Sequence, residues 1–431
     1  MIRIYLKQAW EAMRQSPLFS SIYILGTGLS IALTMTLFII FYVKTSPIYP
    51  EYHRNRVLVV RYLKAFPPDK PDNWHAGSVS PRLAEMADSL PHVEAVAMTS
   101  GSMPRGNLIA LPGQKQGFNV HLLYVNADFW RVFTPRFLSG KPLTEADDDA
   151  RSHAAVISES LSQRLFATVD AAGRTFLFRG HPYTVSGVVQ DVSSATPDAV
   201  ADVWMPLTLS PGLSAGMASS DLLGNVSCFL LVDRQENKES VKEALREAVR
   251  RHDAGQEYVN DLMGQPDDAP LSLFRTDPIA PPDLAGLMRM LLYIVLALLF
   301  IPAVNLSGMI ASQMDRRTAE LGIRKAYGAT RITLLGQVLW ENLVLTLLGA
   351  VAGLAFCYVI ALTSGSWVLT LFDAKTDISL PTPFLTMEML FNPWVFLCAF
   401  LLCLVLNVVS ALVPAWWGLR HTIVQELYTK R

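Results

Sequence analysis

Charged residues are scarce in this sequence. Asp, Glu, Lys and Arg make up 17% of its 431 residues and nearly cancel, to a formal net charge of −1. So balanced a chain gives no sign of a basic stripe for a phosphate backbone, which argues against nucleic acid as a partner. Cysteine is scarcer still, at four residues. Cys357, Cys398 and Cys403 fall in apolar stretches, where thiols behave as small hydrophobes. Cys228 stands alone in the long polar part, so no disulfide can form within it. The eight histidines include no H-E-x-x-H and no metal-ligand spacing with cysteine, so no metal site is expected. No G-x-x-x-x-G-K-[ST] occurs, so the chain lacks the loop that cradles nucleotide phosphates. If ATP drives this protein, another polypeptide binds the ATP and Mg2+, and this chain holds no cofactor.

Apolar sequence is abundant, at 51%, and it is concentrated in four blocks: residues 18–43, 287–310, 332–362 and 394–417. Each exceeds the ~20 residues that cross ~30 Å of hydrocarbon as a helix. Charge placement orients them. Arg3, Lys7 and Arg14 precede the first block, Arg316, Arg317, Arg324, Lys325 and Arg331 lie between the second and third, and Arg420, Lys430 and Arg431 follow the fourth. The loop after the third block sets only Lys375 against Asp373, Asp377 and Glu388. The positive-inside rule puts both termini and the middle loop in the cytoplasm and residues 44–286 outside. Residues 1–17 place Ile2, Leu6, Ala9, Trp10 and Met13 on one helical face, which predicts an interfacial helix on the inner leaflet. The run after residue 37, FIIFYVKTSP, offers no signal-peptide cleavage site. The expected order is an interfacial helix (1–17), a first span (18–43), an external domain (44–286), a second span (287–310), a cytoplasmic segment (311–331), a third span (332–362), a short external loop (363–393), a fourth span (394–417) and a cytoplasmic tail (418–431).

The external part has soluble character. Val57–Val60, 93–98 and 228–232 read as strands, and 238–252 as a helix with Val241, Ala244, Leu245 and Ala248 inward. Ser80 is placed to cap a short helix, further helices begin near Asp128 and Ser158, and 271–274 reads as a closing strand. Strand-like segments at 118–125, 176–178 and 183–189 carry Gly and Pro punctuation. The fold expected is a membrane protein with four transmembrane α-helices and a large extracytoplasmic α/β domain. Its base (about 44–100 and 222–286) is split by a β-rich insertion (about 101–221).

Gly212-Leu213-Ser214-Ala215-Gly216 matches the G-x-S-x-G of a nucleophile elbow, which needs a strand before it and a helix after it. Here Pro206 and Pro211 precede and more Ser and Gly follow, so a membrane-anchored serine hydrolase is only a remote alternative. Gly349 and Gly353 form a G-x-x-x-G that permits close helix packing within or between subunits. Asn305, Glu341 and Asn342 are polar groups inside spans; a carboxylate at mid-bilayer costs about 2.5–3.5 kcal/mol on insertion scales. A structural polar clamp is the preferred role for Glu341, with an ion relay as the alternative.

The most telling stretch is 305–349. Between two membrane-length blocks, Ala319, Ile323, Ala326 and Tyr327 recur at helical spacing on one apolar face, and Glu320 precedes Arg324 by four residues. Gly328 is a helix stop and Thr330 a cap for the next helix. Ser312, Arg317, Glu320, Gly322, Ile323, Arg324, Ala326, Gly328 and Ala329 fall in a pattern that resembles the "S…R..EIGIR.A.GA" loop of the MacB/FtsX superfamily of ABC-transporter permeases. VNADFWRVF, AAVISESLSQRLF and YTVSGVVQD are similar to the MacB-type periplasmic core domain, and the tail VPAWWGLRHTIVQEL to that family's C-terminus. The chain departs from the pattern at Ile423, where proline is usual, and in lacking a fused nucleotide-binding domain.

The resemblance implies a permease of a bacterial inner membrane that is itself no enzyme. A separate cytoplasmic ABC ATPase would dock on Arg316, Arg317, Glu320, Gly322, Ile323, Arg324, Lys325, Tyr327 and Gly328. A second permease copy or paralogue would complete a dimer among membrane lipids, with a periplasmic adaptor and outer-membrane channel as further candidate partners. Motion driven by ATP would reach the external domain through the spans and act on peptides, lipids or lipoproteins. The alternative implied is an FtsX-like, non-transporting regulator of a cell-wall hydrolase.

Overall fold

The structure, a computed structural model, describes residues 14, 17–101, 106–114, 117–213, 220–275, 277–316, 323, 327–364 and scattered positions between 393 and 412. It divides into two compact units. One carries a helix α1 (Pro17–Thr45) as far as Tyr42, a helix α8 (Leu284–Arg316) from Ala285, and α9 (Arg331–Ser364); the other holds Val43–Leu284. Within α1 and α9, Ser20–Thr45 and Leu343–Ile360 are long and apolar enough to cross a membrane, and Leu284–Leu298 is a shorter apolar helix. Most of the fourth block lies outside the described residues. The helices outrun their apolar blocks: α8 continues to Arg316, six residues beyond 310, because intrahelical hydrogen bonds do not depend on apolar side chains.

In the helical unit α1 packs on α9. Gly28, Gly349 and Gly353 let the backbones approach, and the Tyr23 hydroxyl lies 2.9 Å from the Thr346 hydroxyl in the same seam.

The external unit is built on a twelve-stranded sheet. Its strands are β1 (Val57–Val60), β4 (Val93–Gly101), β5 (Leu108–Ala110), β6 (Phe118–Asn119), β7 (Leu122–Val125), β8 (Phe137–Gly140), β9 (Ala154–Ser158), β10 (Thr175–Phe178), β11 (His181–Val189), β12 (Val203–Pro206), β14 (Ser227–Val232) and β16 (Asp267–Asp268). The order is β16-β1-β14-β4-β7-β12-β9-β11-β10-β5-β6, with β8 on β11. A second sheet of four strands has β2 (Leu63–Phe66) and β3 (His75–Val79) at its centre, flanked by β15 (Val259–Asp261) and β13 (Leu223–Gly224).

Both faces of the large sheet are covered, which is why its central strands show no polar alternation. Leu58 and Val60 of β1 and Leu230 of β14 enter one core with Leu83 of α2 (Pro81–Asp88), Leu161 of α5 (Glu159–Phe166), and Val241 and Leu245 of α6 (Lys238–Asp253). Val57, Val59 and Phe229 enter the other, with Phe129 of α3 (Phe129–Val132) and Trp204. A short α4 (Glu145–Asp149) opens on a capping box at Thr144 and Asp147.

One sheet runs through base and insertion, since β4 pairs directly with β7. Two expectations need correction. The stretch read as a strand at 271–274 instead contributes to a helical turn, α7 (Ala269–Ser272), whose first turn accommodates Pro270 without losing a needed donor. Val249, not Ala248, completes the buried face of α6. Ser80 stands at the N-cap of α2 as expected, but its hydroxyl donates to the Asp221 carbonyl and makes no capping bond.

Candidate functional site

Several residues singled out in the sequence fall outside the described residues: Arg317, Glu320, Gly322, Arg324, Lys325 and Ser214, and the side chains of Arg316, Asn305, Glu341 and Asn342. The backbones of Asn305 and Arg316 lie in α8, and those of Glu341 and Asn342 in α9. Before Ser214 comes a 3-10 turn, Leu207–Leu209, and no strand leads directly into the motif. Of the segment between α8 and α9, Ile323 is 55% exposed and Tyr327 90% exposed. The Tyr327 amide donates to the Ile323 carbonyl at 3.1 Å, so the two occupy one helical turn. Gly328 then adopts a left-handed φ of +93°, and the Thr330 hydroxyl accepts from the Thr333 amide at the start of α9.

The best-defined polar constellation lies where the chain enters and leaves the external unit. The last carbonyls of α1 have no partner within the helix. Arg54, delivered by a 3-10 turn just before β1 and only 1% exposed, supplies one: its Nη1 donates to the Val43 carbonyl at 2.7 Å and to the Ser46 carbonyl at 2.9 Å. Its Nε donates to Glu51 Oε2 at 2.7 Å. Burial pushes the Glu51 carboxyl above the usual carboxylate range, outweighing the Arg54 charge that pulls it down.

At the far end of β1, Arg61 donates two bonds of 2.6 Å to the Asp198 carboxylate, the fork geometry that favours arginine. Burial opposes the charge on Arg61, but Asp198 outweighs it and holds the guanidinium protonated more firmly than usual.

The outgoing chain returns to the same edge. Gln265, 1% exposed, accepts from the Arg61 amide at 2.8 Å and donates to the Tyr62 carbonyl at 2.7 Å. Asp267 and Asp268 then pair with Val59 and Leu58 of β1. Arg275 forks onto Asp267, from Nε at 2.7 Å and from Nη2 at 2.9 Å, with both side chains almost fully buried. The incoming and outgoing joints therefore lie side by side on one sheet edge, each held by a buried arginine. Sequence reasoning missed Glu51, Arg54, Gln265 and Arg275. The only local hint was a charged Glu-x-x-Arg just beyond an apolar block, because the decisive partners of Gln265 are 203 and 204 positions away.

A family model for the MacB-like periplasmic core domain matches residues 20–248, more than half of the chain, and one for the FtsX-like permease C-terminal region matches 292–423. The ABC transporter permease YknZ of Bacillus subtilis is 24% identical over 235 residues, 54% of this chain and 55% of that protein. The pyoverdine export ATP-binding/permease protein PvdT of Pseudomonas aeruginosa is 27% identical over 277 residues, 63% of this chain and 38% of that one. The macrolide export ATP-binding/permease protein MacB of Chromobacterium violaceum is 26% identical, over 62% and 38%. The chain thus spans about half the length of YknZ, and less of the two exporters. The crystal structure of the periplasmic region of MacB from Actinobacillus actinomycetemcomitans aligns with a TM-score of 0.32 at 16% identity, over 47% of this chain and 88% of that one.

Proposed function

Because this chain belongs to the family of ABC transporter permeases that combine a MacB-like periplasmic core domain with an FtsX-like C-terminal region, we propose that it couples a cytoplasmic ABC ATPase to cargo handled outside the bilayer. One observation carries the coupling: Ile323 and Tyr327, two apolar side chains on one turn between α8 and α9, are exposed. Exposed apolar residues set among basic ones suit a groove on a partner, which would desolvate the apolar face and meet the charged rim. Arg316, Arg317, Glu320, Gly322, Arg324, Lys325 and Gly328 complete this surface. In this reading the chain crosses a bacterial inner membrane four times with both termini inside, and a second copy or paralogue makes a dimer. ATP-driven closure of the ATPase tilts the spans and moves the external domain against a peptide, lipid or lipoprotein cargo. The cargo need not pass between the spans.

Ile323→Asp tests the docking surface, because it would bury an unpaired charge in the contact. The native chain purified from its own host's membranes is expected to bring an ABC ATPase with it, and the variant to lose it while its external unit keeps native protease resistance. An ATPase that stays bound to the variant would refute the proposal.

A further inference from the structure

We infer that Arg275 is a latch, a positioning residue that makes the outgoing joint at 277–283 move as part of the external unit. This role presupposes the transmission function proposed above, since only a chain that carries motion between its units needs stiff joints. The joint contains Pro278, Pro281 and Pro282, which have no amide hydrogen to give. In an exposed joint of that kind, carbonyls bonded to a fixed donor hold the backbone to one place, whereas carbonyls solvated by water do not. Arg275 is that donor: Nη1 donates to the Pro278 and Ala280 carbonyls, while Nε and Nη2 are fixed by Asp267. Asp267 in turn lies opposite Val59 in the sheet. An unbroken line of hydrogen bonds thus runs from the joint through one guanidinium to β1, the strand that follows the incoming joint. The Arg54–Glu51 pair fixes that incoming side, and Gln265 holds the far end of β1.

Two further contacts seat the joint. Pro281 rests on Gly264, where an added Cβ would stand 3.4 Å from the Pro281 ring, and the Asp277 carboxylate accepts from the Ile279 amide at 2.9 Å. On its other flank Asp277, Pro278 and Ile279 face Tyr62 and the β3 residues Ala76–Ser78 across a crevice of about 360 Å3. The width of that crevice reports whether the joint is seated. Lysine would not serve in place of Arg275, because a single ammonium lacks the fork that grips a carboxylate and two carbonyls at once.

The test uses the full chain in nanodiscs with its native cysteines replaced and spin labels on Ala76→Cys and Ile279→Cys. The native latch is expected to give one narrow distance distribution. Arg275→Met with Asp267→Asn removes both charges together, which avoids an unpaired buried ion. It is expected to lose the narrow distribution while melting close to the native temperature, and in cells to keep ATP hydrolysis but lose cargo export. Arg275→Lys, which retains the charge, is expected to broaden the distribution too, and decides the matter if the double variant does not fold. A distribution that stays narrow in the folded variant would overturn the latch, as would full export from a chain whose joint has broadened. If broadening occurs but no ATPase accompanies even the native chain, Arg275 still holds the joint in place, but the transmission role falls together with the transporter reading.

Discussion

Gly353 of α9 faces Gly28 of α1 so closely that a Cβ built on Gly353 would stand 2.7 Å from the Gly28 carbonyl oxygen and 3.0 Å from the Ile31 side chain. One turn earlier, a Cβ built on Gly349 would stand 3.1 Å from the Thr27 side chain. Without a hydrophobic drive between helices in lipid, this approach of small residues supplies the packing. Gly353→Val is therefore expected to force the helices apart and to cost about 1–3 kcal/mol, the usual range for overpacking. Gly336→Ala in the same helix meets nothing within 4 Å and serves as the control. Thermal unfolding of the full chain in detergent, followed by tryptophan fluorescence, should show a lowered midpoint for the first and none for the second. Equal midpoints would mean that the seam is not tight.

Glu51 gives a pH dependence whose sign can be worked out. Burial raises its carboxyl above the ordinary value of 4.5. A group raised on folding contributes stability that is complete below its unfolded value and is lost as pH rises through its folded one. Glu51→Gln cannot ionise and escapes that loss. Denaturant titrations at a series of pH values should find the native chain losing ground to Glu51→Gln as pH climbs from 4.5, with the gap levelling once the carboxyl is ionised. The opposite trend would show that Arg54 holds Glu51 below its ordinary range. Arg54→Ala, which leaves Glu51 without its cation and the Val43 and Ser46 carbonyls without their donor, is expected to cost about 3–5 kcal/mol in the same titrations at the pH where the carboxyl is ionised, and less where it is neutral.

Much of the external unit was legible because its signals are local. Val57–Val60 is apolar at every position and lies between two cores, and the Ser158 hydroxyl caps α5 by accepting from the Leu161 amide. The turn at Gly328 and Thr330 was readable for the same reason. What could not be read was pairing at long range. Nothing near Thr99 says that Val125 lies opposite it, so the passage of one sheet through base and insertion was not legible. The joints were hidden in the same way. Arg54 and Arg275 look like ordinary charges flanking apolar blocks until folding brings carbonyls and carboxylates to them, and Gly349 names no partner until Thr27 is set against it. At 271–274 an apolar run of strand length was misleading, since Leu271 and Ser272 complete a helical turn begun at Ala269.

Membrane topology remains the firmest test of the chain's organisation, and the fold refines how to make it. The charge pattern places Arg317 inside and Asp373 outside. Asp198 does not suit labelling of the external domain, because its carboxylate is engaged by Arg61 at 2.6 Å and a cysteine there would disturb the fold. Asp72, exposed on the turn between β2 and β3, makes a better site. The native Cys228 need not be removed from the background: it is fully buried between β1 and β4, and burial pushes its thiol up to about 12, so it stays unreactive near neutral pH. An impermeant maleimide applied to spheroplasts is expected to label cysteines at Asp72 and Asp373, and to reach one at Arg317 only after the membrane is opened. Labelling at Arg317 in sealed cells would put the segment between α8 and α9 outside, where no cytoplasmic ATPase could bind it. The coupling role of Ile323 and Tyr327 would then fail together with the topology.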